Sequence, residues 1–263
     1  MSSIRLSLIQ ADLSWEDKSA NLQRFEEKIR PLAGKTDIVI LPEMFSTGFS
    51  MQPSLLAETM EGETVHWMRK ISSELRVVLT GSLIINDNEK YFNRLIWMLP
   101  DGNLGFYDKR HLFGFAGEDN YYAAGTKRLI ASVKGWKFNL QVCYDLRFPV
   151  WARHSGNAEE PEYDILIYVA NWPQRRNHAW KTLLQARAIE NQCFCVGVNR
   201  VGTDGNGIYH SGDSMVVNAM GEVIYSRADA EDVVTIQLER SDIEAVRSKL
   251  PFLKDRDSFL INL

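Results

Sequence analysis

Short apolar runs alternating with amphipathic stretches along nearly the whole chain predict an α/β fold. The second half of the chain also repeats the element order of the first, at offsets of about 127, 116 and 119 residues. Two structurally similar halves are therefore expected. Finally, no Pro/Gly/Ser-rich linker or low-complexity stretch interrupts the sequence, which predicts one domain over residues 1–263. Alternation alone makes any α/β chain look partly self-similar, so the repeat competes with that plainer explanation.

In chain order, residues 4–10 read as a first strand. Ser14 then stands where it could cap a helix, with Asp17 in the capping-box position. Leu22, Phe25, Ile29 and Leu32 follow at the helical period. Residues 37–41 form a buried strand that stops at Pro42-Glu43. Val65, Met68, Ile71 and Leu75 mark a second helix, and residues 77–84 the strand after it. Residues 95–99 and 104–107 flank Pro-Asp-Gly-Asn, a hairpin turn. In the second half, Asp164-Ile-Leu-Ile-Tyr-Val parallels Asp37-Ile-Val-Ile-Leu-Pro. The helix at 179–191 leads into a strand at 193–198, and strands at 215–218 and 223–226 flank Ala-Met-Gly-Glu.

Composition excludes several classes of function. The chain is 45% hydrophobic and 24% charged, ordinary for a globular protein with a sizeable core. Its net charge of -4 argues against a nucleic-acid partner, which would favour a basic face. No apolar run approaches the roughly 18 residues of a membrane span, so no membrane association is expected. The start, MSSIRLSLIQADLSWED, enters a strand and then acidic sequence, unlike a signal peptide. Three cysteines, an odd number, suggest reduced thiols in the cytoplasm.

Three positions put a reactive group where a strand ends, a place that projects side chains into a crevice from a fixed backbone. Cys143 follows the alternating Phe138, Leu140 and Val142 and precedes the redirecting Pro149. A thiol at such an elbow is exposed, with the Tyr144 N–H beside it as an oxyanion donor. The competing reading is a buried structural cysteine, the commoner fate of a free thiol. Cys193 and Cys195 read as same-face core residues, since a lone C-x-C without further ligands makes a poor zinc site. Glu43, one proline beyond an apolar run, is placed for the desolvation that raises a general base. A capping or salt-bridging acid is the alternative. Lys109, in Tyr-Asp-Lys-Arg-His, reads by default as a solvated turn, but near a thiol it would stabilise an oxyanion.

Taken together and in this order, these segments resemble the nitrilase superfamily of carbon–nitrogen hydrolases. Leu-Pro-Glu-Met-Phe is similar to that family's glutamate segment, Tyr-Asp-Lys-Arg-His-Leu-Phe to its lysine segment, and Val-Cys-Tyr-Asp-Leu-Arg-Phe-Pro to its nucleophile segment. The resemblance implies Glu43 as general base, Lys109 as oxyanion donor and Cys143 as nucleophile. It also implies a second glutamate beyond the lysine and shortly before a glycine, which falls on Glu118 ahead of Gly125. Further likeness runs through Tyr-Val-Ala-Asn-Trp-Pro, Ala-Arg-Ala-Ile-Glu-Asn-Gln and Asn-Arg-Val-Gly. Within the superfamily, Glu-Met-Phe-Ser-Thr-Gly-Phe and Asp-Lys-Arg-His-Leu-Phe are closest to the omega-amidases.

What the resemblance implies is specific. The fold would be a four-layer α-β-β-α sandwich, the reaction would need no cofactor and no metal, and the protein would be a homodimer. The substrate would be a small amide, 2-oxoglutaramate or 2-oxosuccinamate. Its remote carboxylate calls for a fixed cation, and Arg175 and Arg176 follow Asn171-Trp172-Pro173 on a loop that could reach the pocket. Phe45 and Trp172 would supply apolar walls, while Arg147 reads as a brace for the elbow. Two other classes compete. A Cys-His-Asn hydrolase would need a histidine base, and neither His111 nor His178 has that spacing. A phosphate loop at Gly202, Gly205 and Gly207 would need a helix to follow, but His-Ser-Gly-Asp-Ser-Met-Val-Val reads as a strand. An amidase of the same superfamily acting on another small amide or an N-carbamoyl compound, and a non-catalytic binding member of the same fold, are the remaining alternatives.

Overall fold

The computed structural model describes residues 2–155 and 160–262. Its strands are β1 (Ser3–Gln10), β2 (Ile38–Ile40), β3 (Val78–Asp87), β4 (Lys90–Met98), β5 (Leu104–Asp108), β6 (Ile130–Val133) and β7 (Trp136–Val142). They continue as β8 (Ile165–Ala170), β9 (Phe194–Asn199), β10 (Val201–Thr203), β11 (Tyr209–Val217), β12 (Val223–Ala228) and β13 (Asp232–Glu239). The helices are α1 (Lys18–Ile29), α2 (Pro53–Leu56), α3 (Glu63–Leu75), α4 (Pro149–Ala152), α5 (Asn177–Asn191) and α6 (Arg240–Lys249).

The strands form two sheets. One has the order β13-β1-β2-β3-β4-β5, the other β10-β11-β9-β8-β7-β6 with β12 paired to β11. The internal repeat is real at the level of topology. In the first sheet β1, β2 and β3 are parallel, and β4 and β5 follow antiparallel. In the second, β7, β8 and β9 are parallel, and β11 and β12 follow antiparallel.

Strand parity builds the layers. Ile4, Leu6, Leu8, Ile38, Ile40, Leu95 and Trp97 point from the first sheet toward the second, where they meet Phe138, Leu140 and Val142. The Trp97 and Phe138 rings pack at 5.1 Å between centroids. The opposite face of the first sheet carries Ile9, Val39, Leu79 and Ile96, covered by Phe25 and Ile29 of α1 and Val65, Met68 and Ile71 of α3. On the outside of the second sheet, Trp180 and Leu184 of α5 close onto Gly197 of β9, where a Cβ would lie only 2.6 Å from either side chain. The result is the four-layer α-β-β-α sandwich. Among the described residues no helix is long and apolar enough to cross a membrane.

Two local details differ from the sequence reading. Asp17, not Ser14, caps α1, its carboxylate accepting the Ala20 N–H at 2.9 Å. Glu16 has φ +56°, so the helical run cannot extend back to Ser14, whose backbone is instead held by the Asn21 side chain. A second hairpin, β3 to β4, turns through Asn88-Glu89 with φ +51° and +62°. That is the two-residue primed-turn pattern, with glutamate where glycine is usual, which hid it from the turn reading.

Candidate active site

The ends of β2, β5, β7 and β8 meet at one edge of the sandwich, and each delivers a polar residue there. Glu43 follows β2, Lys109 follows β5, Cys143 follows β7 and Asn171 follows β8. The Lys109 ammonium lies between two carboxylates, 2.9 Å from Glu43 Oε1 and 2.8 Å from Glu118 Oε2. All three side chains are fully buried. Asn93 of β4 donates to both acids, at 2.8 Å to Glu43 and 3.2 Å to Glu118. Glu43 Oε2 takes the Asn171 N–H at 2.8 Å, and Glu118 Oε2 takes the Phe113 N–H at 2.6 Å. Both carboxylates thus accept from donors on each oxygen, the arrangement that suits their charged forms.

Electrostatics follow from this burial. Desolvation works against the Lys109 charge, but Glu118, Glu43 and then Cys143 outweigh it and hold the ammonium above its ordinary range. Burial pushes the Glu118 carboxyl up, with Lys109 opposing and Glu43 adding to the rise. Burial likewise pushes the Cys143 thiol well up; the Glu43 charge and a thiol hydrogen bond to Glu43 reinforce this, and only Lys109 pulls it down. Burial and neighbouring negative charge thus both favour the neutral thiol over the thiolate.

The elbow at Cys143 is a strained turn. Cys143 has φ +45° at the start of the 3-10 helix Cys143–Arg147, a left-handed conformation that costs a non-glycine residue about 1 to 3 kcal/mol. Surrounding bonds hold it. Asp145 accepts the Val142 N–H at 3.0 Å, and Arg187 of α5 donates to the Leu146 carbonyl at 2.5 Å. The Tyr144 N–H lies in the first turn of this helix, among the groups left without an intrahelical partner.

A cavity of about 440 Å³ opens over Lys109 and Cys143. Tyr144, Trp172, Arg175 and Arg176 line it as the sequence suggested. Phe45 does not. It is buried under the outer helices against Phe25 and Trp67, at 5.5 and 6.0 Å. Met44 has φ +44° and turns the chain, so the Phe45 ring lies over β3 at Gly81, where a Cβ would come within 2.8 Å of it. Phe49 takes the wall position instead. Arg147 also differs from its sequence reading: it faces the cavity, its guanidinium 4.8 Å from the Trp172 ring centroid. Asn93, Asn171 and Asp145 escaped the sequence reading because asparagines and short acids at strand ends are common. The one available signal was Asn171's place after β8, matching that of Glu43 after β2.

The remaining candidates fall away from the chemistry. Cys193 and Cys195 are core residues, His178 is exposed, and His111 is tied to Asp145 rather than to the thiol. Gly202 lies in β10 and Gly205 and Gly207 in the turn to β11, with no helix behind it. Among the described residues no group of three or more His, Cys, Asp or Glu side chains could hold a metal ion.

Glutamate, lysine and cysteine gathered at strand ends of paired sheets point to a class of protein, and the comparisons identify it. Residues 5–248 match the carbon-nitrogen hydrolase family, and the chain belongs to it, within the nitrilase superfamily. It is 40% identical over 261 residues to omega-amidase YafV of Escherichia coli (strain K12), covering 98% of this chain and 99% of that protein. It is 29% identical over 254 residues to 2-oxoglutaramate amidase of Bacillus subtilis (strain 168), covering 95% and 96%. Among solved structures it superposes on XC1258 from Xanthomonas campestris, a CN-hydrolase superfamily protein with an arsenic adduct in the active site. The TM-score is 0.97, with 45% identity and full coverage of both chains.

Gly125 shows how tightly the lysine segment is held. Its N–H donates to the Lys109 carbonyl at 2.9 Å, and a Cβ there would stand 2.0 Å from the Asp108 carbonyl oxygen. Gly125→Ala should therefore destabilise the fold by about 1 to 3 kcal/mol, the range for overpacking, and lower turnover by displacing Lys109. Thermal denaturation and steady-state kinetics check this; wild-type values in both would refute it.

Proposed function

We propose that this protein hydrolyses the terminal amide of a small 2-oxo dicarboxylic acid monoamide, 2-oxoglutaramate or 2-oxosuccinamate, to the acid and ammonia. The observation that carries the reading is one cavity lined both by Lys109 and Cys143 and by three arginines, Arg147, Arg175 and Arg176. None of these arginines has a carboxylate partner among the described residues. Burial and the Arg175 charge hold Arg176 below its ordinary value, with Arg147 adding to the effect, so an incoming anion relieves like-charge crowding. Relatives named omega-amidase and 2-oxoglutaramate amidase support the same substrate class.

The reaction needs only side chains present here. As the thiol sulfur bonds to the amide carbon, Glu43 takes its proton, and Lys109 with the Tyr144 N–H holds the oxyanion. Glu43 returns the proton to nitrogen as the C–N bond breaks, releasing ammonia and leaving a thioester on Cys143. A water then gives its proton to Glu43 and attacks the thioester, restoring the thiol. Glu118 fixes the Lys109 ammonium throughout. The raised thiol pKa favours this concerted route over a preformed thiolate, because Glu43's negative charge opposes a second anion beside it.

The cavity draws its walls from both halves of the chain, so the protein works as one domain. Free cysteines suit a cytoplasmic location; recovery outside the cytoplasmic fraction would overturn that. The exposed Ile189 of α5 lies against the turn at Gly221, next to exposed Met220, Val223 and Ile224, a surface suited to a homodimer. A monomer mass by light scattering would remove the dimer.

Cys143→Ala should abolish ammonia release with the fold retained, and mass spectrometry of the wild type with substrate should find an acyl adduct on Cys143. Amidase activity in the purified variant would sink the mechanism. Arg147→Ala and Arg176→Ala should each raise KM for 2-oxoglutaramate about tenfold or more, the worth of a charge-assisted hydrogen bond, and change an uncharged amide far less. Equal losses on both substrates would favour a general amidase.

A further inference from the structure

Asp145 is fully buried, and four donors converge on its carboxylate. Oδ1 accepts the His111 backbone N–H at 2.9 Å and the His111 ring Nδ1 at 2.8 Å. Oδ2 accepts the Tyr107 hydroxyl at 2.7 Å and the Val142 N–H at 3.0 Å. The Tyr107 oxygen is itself fixed by Trp151 Nε1 at 2.9 Å and the Arg110 N–H at 3.1 Å. Burial and the Asp145 charge hold the Tyr107 phenol well above its ordinary range, so it remains a donor. The His111 ring is also clamped, stacked on Phe148 at 3.8 Å.

These partners share a pattern. Tyr107 and His111 lie two residues to either side of Lys109, and Val142 directly precedes Cys143. β5 ends at Asp108, so the sheet ladder stops just before Lys109. β7 ends at Val142, so it stops just before Cys143. One carboxylate thus ties together the two backbone segments that carry the lysine and the thiol, just beyond the ends of β5 and β7; Lys109 keeps its own backbone bonds to Asn93 and Gly125, but neither of these reaches the Cys143 segment.

We propose that Asp145 is a positioning residue that sets the separation of Lys109 from Cys143, acting on the reaction without touching the substrate. This rests on the reading of Cys143 as nucleophile and Lys109 as oxyanion donor. A short buried acid suits the task. It has two rotatable bonds, and each oxygen is saturated by two donors, so the carboxylate has one low-energy placement. An asparagine of the same shape presents an N–H group where the aspartate accepts, so at least one of the four donors loses its acceptor.

The test measures amide hydrolysis and Cys143 alkylation by iodoacetamide in Asp145→Asn. Turnover should fall about 10²-fold, as when an oxyanion donor is lost, while KM stays within about threefold. The pH profile of alkylation should move upward, because Lys109 is the group that draws the thiol down. Tyr107→Phe, which removes only the hydroxyl, should shift both measures the same way by less, and it serves if Asp145→Asn fails to fold. Cys143→Ala, assayed in parallel, tests the underlying reading separately. Near-wild-type kcat in a folded variant would overturn the proposal. So would a loss of kcat that merely tracks lost folded protein, with the alkylation profile unmoved.

Discussion

The Lys109 ammonium is buried between Glu43 and Glu118, and much of the architecture serves to keep that charge affordable. Moving an ammonium and two carboxylates out of water is costly, and removing any one partner of such a group typically destabilises a protein by about 3 to 5 kcal/mol. The compensation comes from a full set of donors: Asn93 bridges the acids, and backbone N–H groups from Asn171 and Phe113 take their remaining oxygens. A negatively biased cluster is the outcome, and it adds to burial in pushing the neighbouring thiol up.

The internal repeat has a chemical consequence. β2 and β8 occupy corresponding places in the two halves, and the residues that follow them meet. Asn171 gives its N–H to the Glu43 carboxylate and its side-chain amide to the Glu43 carbonyl at 2.5 Å. One half contributes the acid, the other the group that orients it. Facing sheets bring strand ends together at a single edge, so a site can be assembled from segments more than a hundred residues apart.

Lys109, Cys143 and their supports are held by strand ends, whereas Arg175, Arg176 and Phe115 sit on connections at the cavity mouth. Arg176 lies 5.2 Å from the Phe113 ring centroid, and Phe113 packs against Tyr144 at 5.0 Å. Aromatic faces support the Arg176 and Arg147 guanidinium groups, a mode open to arginine more than to lysine. Relatives could change substrate by changing these loops while the buried charge cluster stays as it is.

The sequence by itself determined the α/β class, most of the strand and helix order as far as β12, and the three strand ends that bear Glu43, Lys109 and Cys143, but not β6, β10, β13 or α6. Those are local signals: periodicity selects the element, and an apolar run stopping at a reactive residue marks its exit. Family likeness extended the set to Glu118, which lies 2.8 Å from Lys109. Tertiary structure alone decided who meets whom. Asn93 and Glu43 are 50 residues apart, and Asn171 and Glu43 are 128 apart, separations at which no local pattern reports contact. It also decided direction. Phe45 was assigned to the cavity wall, but the left-handed Met44 reorients the chain that follows it and buries the ring under the outer helices. A positive φ at a non-glycine residue leaves no mark in sequence, since the surrounding hydrogen bonds impose it rather than the residue's own preference.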